Sequence, residues 1–585
     1  MLQVVGAVLA LLAPTLVQGF PGSPLKARTL KGLDDLNESY DYVIIGGGTA
    51  GLTIGDRLSE SGEYNASDPR DNRGSRQYNI TSVPQPGLNG RRVPLGMGFC
   101  VGGSSAINGM AVMRGTKADY SIWAELGQED STWDWEGMLP YYRKAIHFVP
   151  PDEGFAEDYN VTYDIEAAWG QYEDTNVYAS YPGGMNPGIK TIYEAMKTVP
   201  GVEFPRDGHA GSHGVFWYPV SVDPETNQRS YSRTGHWEGL ERSNYDLMTG
   251  SRVNRILIDE ENSVYGVQIV AKGTNDSRTV LVSEEAILSA GTIHTPQVLQ
   301  LSGIGPAEFL ESLDIEVKVD LPGVGANFQD HPIGPNIAFR WGEAPPTPES
   351  TSNYRSGGPG GGQGLVAFLS LPVAAPEEYE AIAERYESLD LAEYAAEDTR
   401  EEVLAGYDAQ RNLYVREMRR TGLSFMNYIV GGGPGASPIN LHITSRGTIR
   451  LNATDLEADP VVDYRALSNP TDVDLMVAYL EFFRRFFTTG ELGQWNATEV
   501  RPGEGEDLEA FVRAGYNPQG WHPVGTAAKM RRELGGVVDD ELRVYGVDGL
   551  RVADASIMPT LIGGTTQLTV YAIAEKVADM IMETW

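Results

Sequence analysis

Cysteine is almost absent from this sequence of 585 residues: Cys100 stands alone, so the chain forms no internal disulfide. A chain of this length buries enough apolar surface to fold without covalent cross-links, and we expect two domains. Basic residues are scarce as well, since 45 Lys and Arg face 80 Asp and Glu and leave a net charge of −35. So acidic a surface repels phosphate backbones and anionic lipid, and we expect neither nucleic acid nor a membrane as partner.

A long hydrophobic run is also missing. The apolar stretch near the N-terminus, Val4 to Ala13, is too short to span a bilayer and is followed by small residues. These features predict a signal peptide over residues 1–19, with a buried N-terminal helix as the alternative. Asn-x-Ser/Thr sequons favour a secreted or secretory-pathway protein that carries N-linked glycans. The sequons begin at Asn37, Asn65, Asn79, Asn160, Asn275, Asn452 and Asn496.

The first glycine motif follows a short β-branched and aromatic run, Tyr42 to Ile45. Gly46-x-Gly48-x-x-Gly51 comes next, and a helix is expected from there to Leu58. Such glycines let a pyrophosphate approach the helix N-terminus, so the pattern indicates a dinucleotide site. A tight strand–helix turn without a ligand is the alternative.

Four further segments stand far along the chain from this motif. They read GMGFCVGGSSAINGMAVMRG (96–115), GTIHTPQVLQLSGIG (291–305), WHPVGT (521–526) and LRVADASIMP (550–559). Together with the first motif they resemble the glucose–methanol–choline family of flavin oxidoreductases, in particular its secreted fungal members of secondary metabolism. The resemblance runs from about residue 40 to the C-terminus.

This resemblance implies an α/β fold with a discontinuous, Rossmann-like FAD-binding domain and an inserted substrate domain built on an antiparallel sheet. We expect the FAD-binding domain to occupy 40–330 and 520–585, and the substrate domain mainly 331–519. It also implies FAD as the cofactor and a small molecule as the substrate, with the protein a monomer or homodimer. No His or Cys stands in an evident attachment motif, so we expect the FAD to be non-covalent.

The family's cofactor-binding positions fall on glycine turns, one strand and one C-terminal loop of this sequence. They are Gly46, Gly48, Thr49, Ala50 and Gly51 near the pyrophosphate, Asn108, Gly109, Met110 and Ala111 along the flavin, Val253 at the adenine, and Asp554, Ala555, Thr566 and Gln567 in a loop over the flavin ring.

One departure from the family is a missing apolar strand after the first helix. Family members carry a second strand there that ends in Glu-Ala-Gly, whose Glu holds the ribose, whereas Gly62 to Arg76 contains no apolar run. Asp68 and Asp71 lie at about the customary spacing of ~20 residues, which we interpret as coincidence because no strand is expected to position them. Either the pocket tolerates the loss, or the recorded chain lacks a segment. Phe99 is a second departure, at a position that is usually basic or small and polar.

The catalytic assignment rests on His522, in the segment WHPVGT. An imidazole is suited to take a hydroxyl proton while hydride leaves carbon for the flavin, so the resemblance implies His522 as base. The family's His or Asn partner corresponds here to Thr565, which forms hydrogen bonds but is no base near neutral pH. We interpret the remaining histidines as structural, and no Cys/His spacing indicates a metal site. They are His147, His209, His213, His236, His294, His331 and His442.

Three functions remain open on these observations. The leading hypothesis is an FAD-dependent alcohol oxidase or dehydrogenase that acts on a secondary metabolite. The second is a non-redox dehydrative cyclase on the same fold, favoured by Thr565. The third is a flavin-deficient, inactive homologue, favoured only by the missing strand.

Overall fold

A computed structural model describes residues 27–60, 66–69, 77–172, 174–274, 276–346 and 364–584. The predicted signal peptide, the sequons at Asn65 and Asn275, and the glycine-rich stretch 356–363 lie outside the described residues. The strands are β1 Arg28–Leu30, β2 Ser39–Ile45, β3 Ala66–Pro69, β4 Ile80–Thr81, β5 Pro94–Leu95, β6 His147–Phe148, β7 Tyr178–Ala179, β8 Gly214–Tyr218, β9 Val222–Asp223, β10 Gln228–Arg229, β11 Tyr245–Met248, β12 Ser251–Ile258, β13 Val264–Ala271, β14 Ser277–Leu288, β15 Ile304–Gly305, β16 Val319–Asp320, β17 Ile337–Arg340, β18 Gly364–Leu369, β19 Met426–Val430, β20 Gly435–Ala436, β21 Ile439–Asn440, β22 Thr448–Arg450, β23 Val461–Asp463, β24 Thr498–Arg501 and β25 Leu550–Val552.

The helices alternate with these strands in the first half of the chain and cluster in the second. They are α1 Thr49–Ser59, α2 Lys117–Leu126, α3 Trp135–Lys144, α4 Glu153–Tyr159, α5 Gly188–Met196, α6 Ser232–His236, α7 Gly291–Leu301, α8 Ala307–Glu311, α9 Leu371–Ala374, α10 Tyr379–Ser388, α11 Glu401–Met418, α12 Thr471–Thr488, α13 Gly490–Gly493, α14 Leu508–Gly515 and α15 Gln567–Met582.

An eight-stranded sheet carries the first glycine motif after β2, the segment 291–305 after β14 and the C-terminal loop after β25. Its order is β1-β11-β3-β2-β14-β13-β12, with β25 beside β14. β14 pairs in parallel with β2 and β25 and antiparallel with β13. Val43, Ile44 and Ile287 are completely buried, as expected of parallel strands that are covered on both faces. Helices α1 and α15 pack against each other, so the two ends of the chain meet in one layer.

The strand that we expected to be missing is present. Ala66–Pro69 forms β3, which pairs in parallel with β2 on one side and β11 on the other. Tyr42 lies opposite Ala66, and Leu247 lies opposite Asp68. The expectation was wrong because it assumed that a strand at this place needs an apolar run. Backbone hydrogen bonds with the strands on either side satisfy the N–H and C=O groups whatever the side chains are. The flanking residues 61–65 and 70–76 lie outside the described part of the chain.

A four-stranded antiparallel sheet, in the order β21-β19-β18-β8, forms the second body of the fold. Every residue of its central strand β18 is buried. Helix α12 covers this region with an aromatic face that includes Phe483 and Phe487. Strand β8 comes from residues 214–218, so the chain contributes to this sheet from before and after residue 331. The predicted fold class, a Rossmann-like domain joined to a domain with an antiparallel sheet, is confirmed.

Within the part of the chain that the structure describes, every helix is too short or too polar to cross a bilayer.

Candidate active site

The first glycine motif forms a turn that only glycine can build. Gly46 adopts φ 141°, and a Cβ on Gly51 would lie 1.6 Å from the carbonyl oxygen of Gly46. Gly48 is the N-cap of α1, whose first residues are Thr49 and Ala50. The helix therefore begins close to the end of β2, with its first N–H groups and the positive end of its dipole available to an anion.

The second glycine segment, residues 96–115, packs against the turn of the first glycine motif. The N–H of Gly102 donates to the carbonyl oxygen of Gly47 at 2.9 Å. Gly103 has φ 52°, and a Cβ there would lie 2.9 Å from the Cα of Gly48. The two loops thus present one surface made of backbone, which allows the close approach that a pyrophosphate requires.

A cavity of about 810 Å³ extends from this turn to β12. Gly46 and Val253 both line it, so two predicted cofactor positions share one space. Phe99 also lines it, with its ring centroid 4.5 Å from that of Tyr78. The Nζ of Lys272 lies 3.9 Å from the centroid of Phe99, so a cation still stands near the position where the family usually has a basic or small polar residue.

The predicted flavin-lining segment is held by a polar network. Arg229 donates to the side-chain Oδ1 of Asn108 at 2.6 Å and to its backbone oxygen at 2.7 Å. The Nδ2 of Asn108 donates to Oε1 of Gln567, and the N–H of Met110 donates to Oδ1 of Asn108 at 3.1 Å. Asn108 and Gln567, which are 459 residues apart, are therefore brought together. The neighbouring Gly109 is exposed, and a Cβ there would meet no atom within 4 Å.

The C-terminal loop contributes one residue whose side chain is already engaged. Asp554 is buried, and its Oδ2 accepts from the N–H of Gly291 at 2.8 Å and from the hydroxyl of Thr295 at 2.6 Å. Its carboxylate therefore anchors α7. Ala555 beside it is half-buried, and Thr566 is the N-cap of α15. Since the carboxylate is engaged in this way, we expect Asp554 to contact a cofactor through its backbone.

His522 is half-buried, and its backbone is held by a buried carboxylate. Oδ1 of Asp330 accepts from the N–H of His522 at 2.8 Å and from that of Gly520 at 3.1 Å. Between them Trp521 takes the left-handed φ of 62° and stays 54 % exposed. Desolvation lowers the pKa of the His522 imidazole to about 4, and burial raises the pKa of the Asp330 carboxyl to about 7. The Nδ1 of His522 lies 3.0 Å from the Nδ1 of His331.

The predicted partner Thr565 lies at the start of α15. Its hydroxyl donates to the backbone oxygen of Ala111 at 2.9 Å, which ties the C-terminal loop to the predicted flavin-lining segment. No hydrogen bond joins His522 and Thr565 among the described residues. His331, rather than Thr565, is the side chain that contacts the imidazole of His522.

Most of the other histidines have partners that explain them structurally. His209 lies 2.7 Å from Oδ1 of Asp207, and His236 lies 3.1 Å from Oδ2 of Asp56. His442 is completely buried, which lowers its pKa to about 3. Within the described part of the chain, no cluster of three or more His, Cys, Asp or Glu is arranged to hold a metal ion.

The sequence did not indicate Asp330 or Arg229 and indicated only a structural role for His331, yet all three contact predicted site residues. Each acts across the fold, since His331 lies 191 residues from His522 and Arg229 lies 121 residues from Asn108. The one feature of the sequence that could have indicated this part of the site is the adjacent pair Asp330 and His331, because an acid next to a histidine often belongs to a polar site. Nothing in their spacing linked them to His522.

The glycine cradle, the open helix N-terminus and the adjoining cavity fit a dinucleotide with a pyrophosphate, and a histidine stands on the C-terminal segment of the same domain. These features are typical of a flavin-dependent oxidoreductase. Family models described as GMC oxidoreductase match residues 40–333 and 444–574. The chain belongs to the GMC oxidoreductase family, and its cofactor is FAD.

Relatives and solved structures agree with this assignment. The chain is 34 % identical to dehydrogenase xptC of Emericella nidulans, over 93 % of each chain. It is 30 % identical to versicolorin B synthase stcN of the same organism, over 93 % of this chain and 89 % of that one. The structure of a fungal aryl-alcohol oxidase superposes with a TM-score of 0.86 at 32 % identity, covering 94 % of this chain and 100 % of that one.

Proposed function

We propose that this protein oxidises an alcohol group of a small organic substrate, of the kind found in secondary metabolism, with His522 as the base. The observation that carries the proposal is the placement of His522, whose backbone N–H donates to the buried Asp330 at 2.8 Å and whose half-buried imidazole is desolvated, which lowers its pKa to about 4. At neutral pH such a ring is unprotonated and available to accept a proton. The similarity of the whole chain to a fungal aryl-alcohol oxidase supports oxidation of an alcohol.

His522 is fixed well enough to serve as a base. Asp330 holds the backbone on both sides of Trp521, so the loop that carries the imidazole has little freedom to move. Removing the hydroxyl proton of the substrate raises the electron density on oxygen and so assists departure of hydride from the adjoining carbon. FAD, when bound, supplies the acceptor for that hydride.

The cofactor would be held by the residues that form the cradle and its margins. Gly46, Gly48 and Gly51 would admit the pyrophosphate, with Thr49 and Ala50 at the helix start. Val253 would meet the adenine, and Asn108 to Ala111 would line the flavin. Ala555, Thr566 and Gln567 would close the other side, with Asp554 acting through its backbone. Thr565 donates its hydroxyl proton to the backbone oxygen of Ala111, so it would orient substrate only by accepting a hydrogen bond at its hydroxyl oxygen.

Secretion with N-linked glycans remains part of this proposal. Among the described sequons, Asn37, Asn79, Asn160 and Asn496 are exposed and Asn452 is half-buried. An exposed asparagine on the folded surface is open to glycosylation. A shift in mass after treatment with a glycosidase would test this in protein from a secreting fungal host.

The experiment that tests the main proposal is anaerobic reduction. The purified yellow protein is mixed with aryl and allylic alcohols without oxygen, and the flavin absorbance is followed. Bleaching by an alcohol supports oxidation, and release of FAD by acid supports non-covalent binding. A panel of alcohols that never bleaches the flavin, in protein that does bind FAD, would count against an oxidase or dehydrogenase.

A second function is favoured by Thr565 and by the similarity to versicolorin B synthase. With a threonine in place of the family's His or Asn, His522 lacks the partner that is usual in family members that oxidise alcohols. A dehydrative ring closure needs a proton donor or acceptor but no net oxidation, and His522 would serve in that role. Product formation without any bleaching of the flavin would favour the cyclase.

A further inference from the structure

The two imidazoles of His331 and His522 form a direct contact inside the fold. Their Nδ1 atoms are 3.0 Å apart, and the ring planes stand at 80° with centroids 5.1 Å apart. His331 is 1 % exposed. At this distance one nitrogen donates and the other accepts, so the contact carries one proton between the two rings.

The backbone on both sides holds this contact in place. The segments that carry the two histidines are bridged antiparallel, between Gln329 and Val524 and between Ile333 and Asn517. Four backbone hydrogen bonds of 2.8–3.1 Å make these bridges. The rings therefore meet because their segments are paired, and the contact does not depend on a flexible side chain.

The surroundings of His331 decide which ring donates. Burial, together with the nearby His522 and His442, holds the pKa of His331 well below its ordinary value, so this ring is neutral. Backbone groups of Ile562 and Leu441 face the ring and favour a proton on it. Because Nδ1 faces His522, we assign that proton to Nε2, which is buried and makes no hydrogen bond of ordinary geometry among the described residues. The Nδ1 of His331 is then left with a lone pair.

We propose that His331 is a positioning residue whose Nδ1 accepts a hydrogen bond from Nδ1–H of His522, so that Nε2 of His522 keeps the lone pair that receives a proton. A neutral imidazole has one N–H, and the hydrogen bond at one nitrogen selects the tautomer at the other. His331 thereby keeps His522 in the tautomer that a base at Nε2 requires. This inference rests on the proposed function of His522.

The direct test is the tautomer of His522 in the flavin-loaded protein. Ring nitrogens of ¹⁵N-labelled histidine give different chemical shifts when protonated and unprotonated, and His522→Ala identifies the His522 signals by their loss. We expect a protonated Nδ1 and an unprotonated Nε2. A protonated Nε2, or an average of both tautomers, would overturn the proposal whether or not the enzyme oxidises alcohols.

Substitution of His331 separates positioning from a merely structural role. His331→Leu removes the acceptor, and we expect the limiting rate of flavin reduction to fall about 10- to 100-fold, the range known for partners that orient a metal-ligating histidine. Substrate affinity should change little. His331→Asn places an amide oxygen near the former Nδ1 and should restore most of the rate and the His522 tautomer.

The matched control is His147→Asn, at a half-buried histidine whose ring centroid lies 5.2 Å from that of Tyr178. It should leave both the rate and the His522 signals unchanged. If His331→Asn behaves like His331→Leu, or if His331→Leu leaves the tautomer of His522 as it was, His331 does not position the base. The spectrum of the unsubstituted protein decides the question even if His331→Leu fails to fold.

Discussion

Arg57 on α1 donates through Nε to both carboxylate oxygens of Glu575 on α15, at 3.0 and 2.8 Å. The side chains are 6 % and 0 % exposed. The hydrogen-bonded carboxylate of Glu575 raises the pKa of Arg57 in spite of its burial. This pair joins the helix of the first glycine motif to the helix that follows the C-terminal loop, so it fixes two parts of the cofactor site relative to each other.

We expect Arg57→Ala to destabilise the protein by about 3–5 kcal/mol, because among the described residues it leaves the buried carboxylate of Glu575 with Lys144 as its remaining ion-pair partner. The exposed pair of Arg513 and Glu509 supplies the control, since removal of such a pair costs about 0–1 kcal/mol. Chemical unfolding of the FAD-loaded variants measures both. Equal effects of Arg57→Ala and Arg513→Ala would show that the buried pair does not hold the two helices together.

FAD content should depend on Gly51. The Cβ of Gly51→Ala would lie 1.6 Å from the carbonyl oxygen of Gly46, so α1 would have to move away from β2. We expect the purified variant to have lost most of its flavin absorbance relative to protein absorbance. Gly32→Ala is the control, because no atom lies within 4 Å of its added Cβ, and it should retain full flavin. A yellow Gly51→Ala protein would show that the turn adapts.

Local patterns were sufficient to predict much of this fold. β2 and α1 follow from a β-branched run and a glycine turn, and both signals lie within one stretch of chain. The family resemblance implied that Gly46 and Val253 meet one ligand, and both line one cavity.

The features that were missed depend on the rest of the fold. β3 exists because β2 and β11 lie on either side of it, and no property of Ala66–Pro69 by itself predicts a strand. The contact of His331 with His522 arises from backbone bridges between segments 191 residues apart. A pattern within one segment carries no information about such pairing.

The proposed base is tested by replacing the two predicted catalytic residues. We expect His522→Ala to slow flavin reduction by about 10²- to 10⁴-fold while FAD stays bound, because the imidazole removes a proton and holds no cofactor. Thr565→Ala should cost at most about tenfold, since a neutral hydrogen bond contributes about 0.5–1.5 kcal/mol. Anaerobic stopped-flow absorbance measures both. Normal flavin reduction by His522→Ala would remove the assigned base.

The dependence of flavin reduction on pH tests the state of that base. Desolvation lowers the pKa of His522 to about 4, and only the unprotonated ring accepts a proton. The rate should therefore be flat between about pH 5 and 8 and fall as the pH drops through about 4. With a histidine of ordinary pKa as the base, the rate would instead fall near pH 6.5.

Stability has to be followed in the same experiment because the same shift acts on folding. The unfolded chain protonates His522 near pH 6.5 and the folded chain near 4, so His522 contributes stability above 6.5 that is lost as the pH falls toward 4. Circular dichroism at each pH separates unfolding from protonation of the base, and FAD fluorescence reports any release of cofactor. If the rate falls near pH 6.5 in protein that remains folded and FAD-loaded, the desolvated imidazole of His522 is not the group that accepts the proton.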